Sequence, residues 1–238
     1  MKHLDGVLRI AASAARGDGS RGQYARDLAS RQRGAHNATM PATAPIVPAL
    51  GDQVPKRGNA FTHAVAMFAM RASGWRFEGE FPNLPRFVII VAPHTSNWDF
   101  PLGIMAMFAL GVRGTFLGKD SLFRWPLSLA MRWLGGVPVD RFSPHNVVEQ
   151  TTAYFRQRER LVLALSPEGS RKKLPEWRTG FYYVAKGAGV PIVPLAFDFS
   201  QRVFRIFPPV VASESRDADF ARLHAFFDAR MARHPDRY

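Results

Sequence analysis

A histidine and an aspartate five positions apart, His94 and Asp99, stand in the stretch Ala92-Pro93-His94-Thr95-Ser96-Asn97-Trp98-Asp99. An imidazole of ordinary pKa, about 6.5, is mostly neutral at pH 7 and can take a proton from a substrate hydroxyl. A carboxylate on its other nitrogen fixes the tautomer and stabilises the imidazolium that forms. On one helix this spacing separates the two side chains by about 140° of arc, so they would not meet. A loop that folds Asp99 back onto the imidazole would join them. The same residues also read as a histidine in a turn and an aspartate capping the next helix. On this stretch alone both readings stand.

The elements around the pair decide where it sits. Phe87-Val88-Ile89-Ile90-Val91 is a short apolar, β-branched run that reads as a buried strand. Pro93 lacks the amide hydrogen a central ladder needs, so the strand stops there. The chain turns apolar again from Pro101 to Val112, which predicts a helix. A strand-to-helix turn is where α/β proteins place their chemistry. Other predicted strands also end in polar residues: Thr115–Gly118 at Lys119, Gly136–Val139 at Asp140-Arg141, and Leu161–Leu165 at Ser166-Pro167-Glu168-Gly169-Ser170-Arg171. Strand ends converging on one sheet edge would combine a base, its orienting carboxylate and guanidinium groups for a phosphate. Gly169, with no Cβ, would let the backbone approach a ligand. Taken singly, each cluster is an ordinary turn or surface pair.

The remaining elements follow in order. A helix is predicted from Asn59 to Gly74, with an amphipathic face over 61–74 that includes Phe61, Val65 and Phe68. A short strand follows at 75–79. Helices are predicted at 122–134, 144–158, around 181–185 and at 216–233, with strands at 191–197 and 203–207. Strands alternating with helices give an α/β class: a mostly parallel or mixed sheet covered by helices. Residues 1–58, rich in Ala, Arg, Gly, Ser and Pro, read as a disordered or linker tail, and 59–238 as the folded domain.

Composition narrows the chemistry. With no cysteine among 238 residues, disulfide, zinc-thiolate and iron–sulfur sites are excluded, and a reducing cytoplasm fits. The seven histidines show no metal-ligand spacing, so no metal and no cofactor is expected. The net charge of +13 favours anionic partners: phosphate-bearing substrates, anionic headgroups or nucleic acid. No stretch reaches the ~20 apolar residues that span a bilayer, so any membrane contact is expected to be peripheral.

Four segments in order resemble the motifs of the glycerolipid acyltransferases, the group that includes lysophosphatidic acid acyltransferase. Pro93-His94-Thr95-Ser96-Asn97-Trp98-Asp99 corresponds to Asn-His-x4-Asp, and Gly136-Val137-Pro138-Val139-Asp140-Arg141 to the second motif. Ser166-Pro167-Glu168-Gly169-Ser170-Arg171 corresponds to Phe-Pro-Glu-Gly-Thr-Arg, and Val190-Pro191-Ile192-Val193-Pro194 stands intact as the fourth. The likeness covers roughly residues 60–210. It departs at Pro93, where the family has Asn, and at Ser166 and Ser170, where it has Phe and Thr. The resemblance implies that His94 is a general base on the acceptor hydroxyl and that Asp99 orients it. It also implies that Arg141, Glu168, Gly169 and Arg171, with Lys119 adding charge, bind the acceptor's glycerol phosphate. The implied donor is a thioester, acyl-CoA or acyl carrier protein. The implied acceptor is a lysophospholipid, 1-acyl-glycerol-3-phosphate first, with a lyso-aminolipid as the alternative. Insolubility of such an acceptor implies a cytoplasmic protein peripheral to the membrane.

Two rivals belong to other classes. A covalent enzyme with Ser96 or Ser170 as nucleophile lacks a Gly-x-Ser-x-Gly elbow. A non-enzymatic basic module lacks any helix-turn-helix, zinc-finger or aromatic RNA-binding signature, so no nucleic-acid partner is expected.

Overall fold

The computed structural model describes residues 46–139, 144–169 and 176–238. Its centre is a seven-stranded sheet: β1 (Arg76–Glu78), β2 (Arg86–Ala92), β3 (Gly114–Lys119), β4 (Gly136–Val139), β5 (Leu161–Leu165), β6 (Ile192–Asp198) and β7 (Val203–Ile206). The spatial order is β1-β7-β6-β2-β5-β3-β4. All neighbouring pairs are parallel except the antiparallel β6–β7. The sheet is therefore mixed but mostly parallel, as the alternation of strands and helices predicts.

Among the described residues six helices cover it: α1 (Ala60–Ser73), α2 (Asp99–Leu110), α3 (Leu127–Trp133), α4 (Pro144–Arg156), α5 (Gly180–Ala188) and α6 (Arg216–His224). The pleat of β2 explains the two cores. Phe87 and Ile89 point to one face, where Ala66 and Met70 of α1 and Ala106–Leu110 of α2 pack. Val88, Ile90 and Ala92 point to the other, against Phe155 of α4, Phe181, Tyr182 and Ala185 of α5, and Leu223 of α6. A strand buried on both sides must be apolar throughout, and β2 is apolar from Phe87 to Ala92.

Local chemistry sets the helix ends. Asn59 Oδ1 accepts from the Thr62 amide at 2.9 Å while Thr62 Oγ1 accepts from the Asn59 amide at 3.1 Å, a reciprocal cap that starts α1. Gly74 closes it with φ 71°, the left-handed conformation a residue without Cβ adopts cheaply.

Three expectations are corrected. Residues 46–58, read as tail, are packed on the domain: the Phe77 amide donates to Ile46 O at 2.9 Å, the Arg57 amide to Gly111 O at 2.8 Å, and Val54 is fully buried. Residues 1–45 lie outside the described residues. The helix expected over 122–134 is broken, with a 3-10 turn at Asp120–Phe123 and α3 starting only at Leu127. Pro126 offers no amide hydrogen and drives the residue before it out of helical conformation. The last helix ends at His224 rather than 233, because Phe226 and Phe227 turn inward onto the second core and Asp228 starts a new 3-10 turn at Ala229–Met231.

Candidate active site

β2, β5, β3 and β4 run parallel, so their C-terminal ends share one edge of the sheet. β2 delivers the chain to that edge at Ala92, and the segment 93–98 loops over it into α2. Asp99 is the first residue of α2, where the helix dipole favours a carboxylate. Its Oδ2 accepts from the Ser96 amide at 3.0 Å, and Ser96 Oγ accepts from the Trp98 amide at 3.1 Å. These two bonds curl the loop, and the curl brings His94 Nδ1 to 2.9 Å from Asp99 Oδ2. The His-x4-Asp spacing thus closes through a loop.

The pair is asymmetric in exposure. The Asp99 side chain is 2% exposed and that of His94 24%. With Asp99 accepting, Nδ1 carries the hydrogen and Nε2 keeps its lone pair for a substrate proton. Asp99 Oδ1 and Ser166 Oγ are buried and have no hydrogen-bond partner among the described residues.

β5 supplies the second wall. Glu168 is 5% exposed, and its Oε1 accepts from the backbone amide of His94 at 2.8 Å. Burial, aided by the charge of Asp99 and opposed by that amide bond and by His94, pushes its carboxyl up to about 7. Glu168, expected among the acceptor-binding groups, thus turns inward onto the main chain of the histidine. Gly169 has φ 63°, and a Cβ there would lie 2.7 Å from Arg178 Cδ. The glycine is required by the turn and by the arginine packed over it. Lys119 ends β3 at the same edge and is exposed. Arg141 and Arg171 lie outside the described residues; β4 ends at Val139 and the described part of the β5 turn ends at Gly169.

Three neighbours were not singled out from the sequence. Arg178 packs on Gly169, Arg233 lies over the Trp98 ring, and the His234 amide donates to Thr95 Oγ1 at 3.2 Å. The last contact joins residues 139 positions apart, and no periodicity or motif points to such a pairing. Among the described residues, no group of three or more His, Asp or Glu side chains could hold a metal ion.

An acyltransferase family model matches residues 77–198, which span His94, Asp99 and the Glu168 turn. The chain belongs to the acyltransferase family. The 1-acyl-sn-glycerol-3-phosphate acyltransferase of Escherichia coli (strain K12) is 30% identical over 114 residues, 45% of this chain and 45% of that protein. The Salmonella typhimurium protein of the same name is 27% identical over 145 residues, 53% of this chain and 58% of its own length. The chain spans about half the length of the curated relatives it matches. A crystal structure of a 1-acyl-sn-glycerophosphate (LPA) acyltransferase from Thermotoga maritima superposes with a TM-score of 0.52, covering 70% of this chain and 75% of that one. At 18% identity, that likeness establishes the shared fold.

Proposed function

We propose that this acyltransferase moves a fatty acyl group from a thioester donor, acyl-CoA or acyl carrier protein, to the free hydroxyl of a lysophospholipid, 1-acyl-glycerol-3-phosphate first. The observation that carries the reading is the 2.9 Å contact between His94 Nδ1 and the buried Asp99 carboxylate at the open edge of the sheet. The similarity to 1-acyl-sn-glycerol-3-phosphate acyltransferases supports the acceptor class.

In this mechanism Nε2 of His94 takes the proton of the acceptor hydroxyl as its oxygen bonds to the thioester carbonyl carbon. Asp99 stabilises the resulting imidazolium. The tetrahedral intermediate collapses with cleavage of the C–S bond, and the imidazolium returns its proton to the departing thiolate. An ester and a free thiol result, and the imidazole is neutral again. Arg141 and Arg171, with Lys119, hold the acceptor phosphate, since guanidinium groups match its oxygens in pairs. Glu168 acts as a positioning residue through the His94 amide. The test is purified protein with each donor class and a panel of lysophosphatidate, other lysophospholipids and lyso-aminolipids, read by mass spectrometry. Diacylated phosphatidate is the expected product. Transfer only to a lyso-aminolipid favours the alternative acceptor, and no transfer to any lipid overturns the reading.

The lipid acceptor also gives a role to a set of solvent-facing apolar side chains. Phe61 and Phe68 on α1 are 75% and 73% exposed, and Trp125, Leu129 and Trp133 at α3 are 84%, 70% and 58% exposed. α1 packs against α2, and Trp133 stacks on Phe108 of α2 at 5.5 Å, so both elements lie on one helix. Arg57 sits over the Phe108 and Trp133 rings at 5.2 and 5.1 Å, and Arg132 over Phe123 at 5.8 Å. Aromatic rings interleaved with arginines suit the headgroup region of an anionic bilayer, which supports a peripheral membrane contact. No helix among the described residues is long and apolar enough to cross a membrane. The protein is expected to float with vesicles containing anionic lipid, and Phe61→Ser/Phe68→Ser/Trp125→Ser to remain at the bottom of the gradient. Parent protein left at the bottom counts against membrane docking.

A further inference from the structure

The matched family region ends at Asp198, yet the chain returns to the His94 loop after α6. Beyond His224 it turns inward through Phe227 and makes a 3-10 turn at Ala229–Met231, pinned to the sheet edge by the Phe199 amide donating to Met231 O at 2.9 Å. The next residues reach the loop at two points. The His234 amide donates to Thr95 Oγ1 at 3.2 Å, and Thr95, next to His94, is 1% exposed. The Arg233 guanidinium lies 5.4 Å from the Trp98 ring centre and 5.8 Å from that of Phe199. Trp98 directly precedes Asp99, so the two attachments bracket the loop from the residue after the base to the residue before its partner. Tyr238 packs onto the second core. Burial, then the nearby charges of Glu168 and Asp228, push its phenol above its ordinary range.

We propose that Ala229–Tyr238 is a clasp on the His94 loop, with Arg233 and Thr95 as positioning residues that hold the imidazole in register with the acceptor hydroxyl. The proposal rests on the acyl-transfer reading given above. The loop's internal bonds, Asp99 to the Ser96 amide and Ser96 to the Trp98 amide, fix its curl but tie it only to itself. Glu168 anchors it at the His94 amide. The clasp anchors the stretch between, from the opposite side of the sequence. A cation over an aromatic face within about 6 Å is attractive, and more so where water is partly excluded. An amide bonded to a buried hydroxyl costs free energy to release.

The test compares Thr95→Val, Arg233→Ala and Arg233→Lys with the parent chain. Two readings are taken: amide hydrogen exchange of residues 94–98, and steady-state kinetics with acyl-CoA and lysophosphatidate. Thr95→Val removes the acceptor at nearly constant shape, and Arg233→Lys keeps a cation on the ring. Faster exchange of residues 94–98 is expected in Thr95→Val and Arg233→Ala, with kcat down about tenfold and KM for the acceptor within twofold. Arg233→Lys is expected to retain at least half of the parent kcat. Unchanged exchange in both disruptive variants overturns the proposal, as does an activity loss that only tracks the loss of folded protein by circular dichroism. A KM rise at constant kcat also overturns it, because that makes Arg233 a substrate contact. A parent chain without transfer activity removes the functional reading instead, and the exchange measurement then decides the clasp by itself.

Discussion

His94→Ala is expected to lower kcat by about 10³- to 10⁴-fold, the upper range for loss of a positioned general base, while the protein stays folded. Folding should survive because the imidazole is partly exposed and, among the described residues, its side chain bonds only to Asp99, while the His94 amide that anchors the loop to Glu168 remains in the alanine variant. Asp99→Asn tests the other half of the pair. The Ser96 amide and His94 Nδ1 both bond to Oδ2, so an asparagine oxygen in that place keeps the loop's curl, while the amide nitrogen takes the unpartnered Oδ1 position and the charge that stabilises the imidazolium is gone. A loss of about 10²- to 10⁴-fold in kcat is expected, with KM for the donor little changed. Both variants are assayed by product mass spectrometry at saturating acyl-CoA, with circular dichroism as the folding control. Turnover retained within tenfold in His94→Ala would remove the imidazole from the mechanism.

The parts of this arrangement visible in the sequence were those governed by local rules. β2 from Phe87 to Ala92 and β5 are apolar because both faces are covered, so their ends, and the polar residues that follow them, could be placed to the residue. His94 and Asp99 stood out because the resemblance attaches a role to their spacing. What was hidden depends on long-range packing. Residues 46–58 have the composition of a linker, yet one fully buried side chain, Val54, and backbone bonds to Gly111 and Val112's neighbour Arg113 hold them on the domain. Helical periodicity across 122–134 concealed the break, although Pro126 was the signal that carried it. An acceptor-binding role for Glu168 is what the family resemblance implies from its place in the Ser166–Arg171 motif. Only three dimensions show that its carboxyl faces the His94 amide.

Glu168 accordingly carries a prediction in which charge and geometry separate. Its folded carboxyl is raised to about 7 from the ordinary carboxylate range, mainly by burial. The folded protein therefore holds a proton that the unfolded chain releases near pH 4.5. Stability from this group is fully present below that pH and is lost as pH rises through about 7. Glu168→Gln keeps an oxygen for the His94 amide and cannot ionise, so its melting temperature relative to the parent should climb from pH 5 to about pH 7 and level off above it. An offset independent of pH would mean that the carboxyl is not raised. Activity should follow the hydrogen bond rather than the charge. Glu168→Gln is expected to keep at least a third of the parent kcat, whereas Glu168→Ala leaves the partly buried His94 amide without its partner and should lower kcat about 10²-fold, the cost of a small misplacement of a reacting group. Equal losses in the two variants would show that the ionised carboxylate itself takes part in the reaction, and no loss in either would show that the anchor at the His94 amide is dispensable for positioning the imidazole.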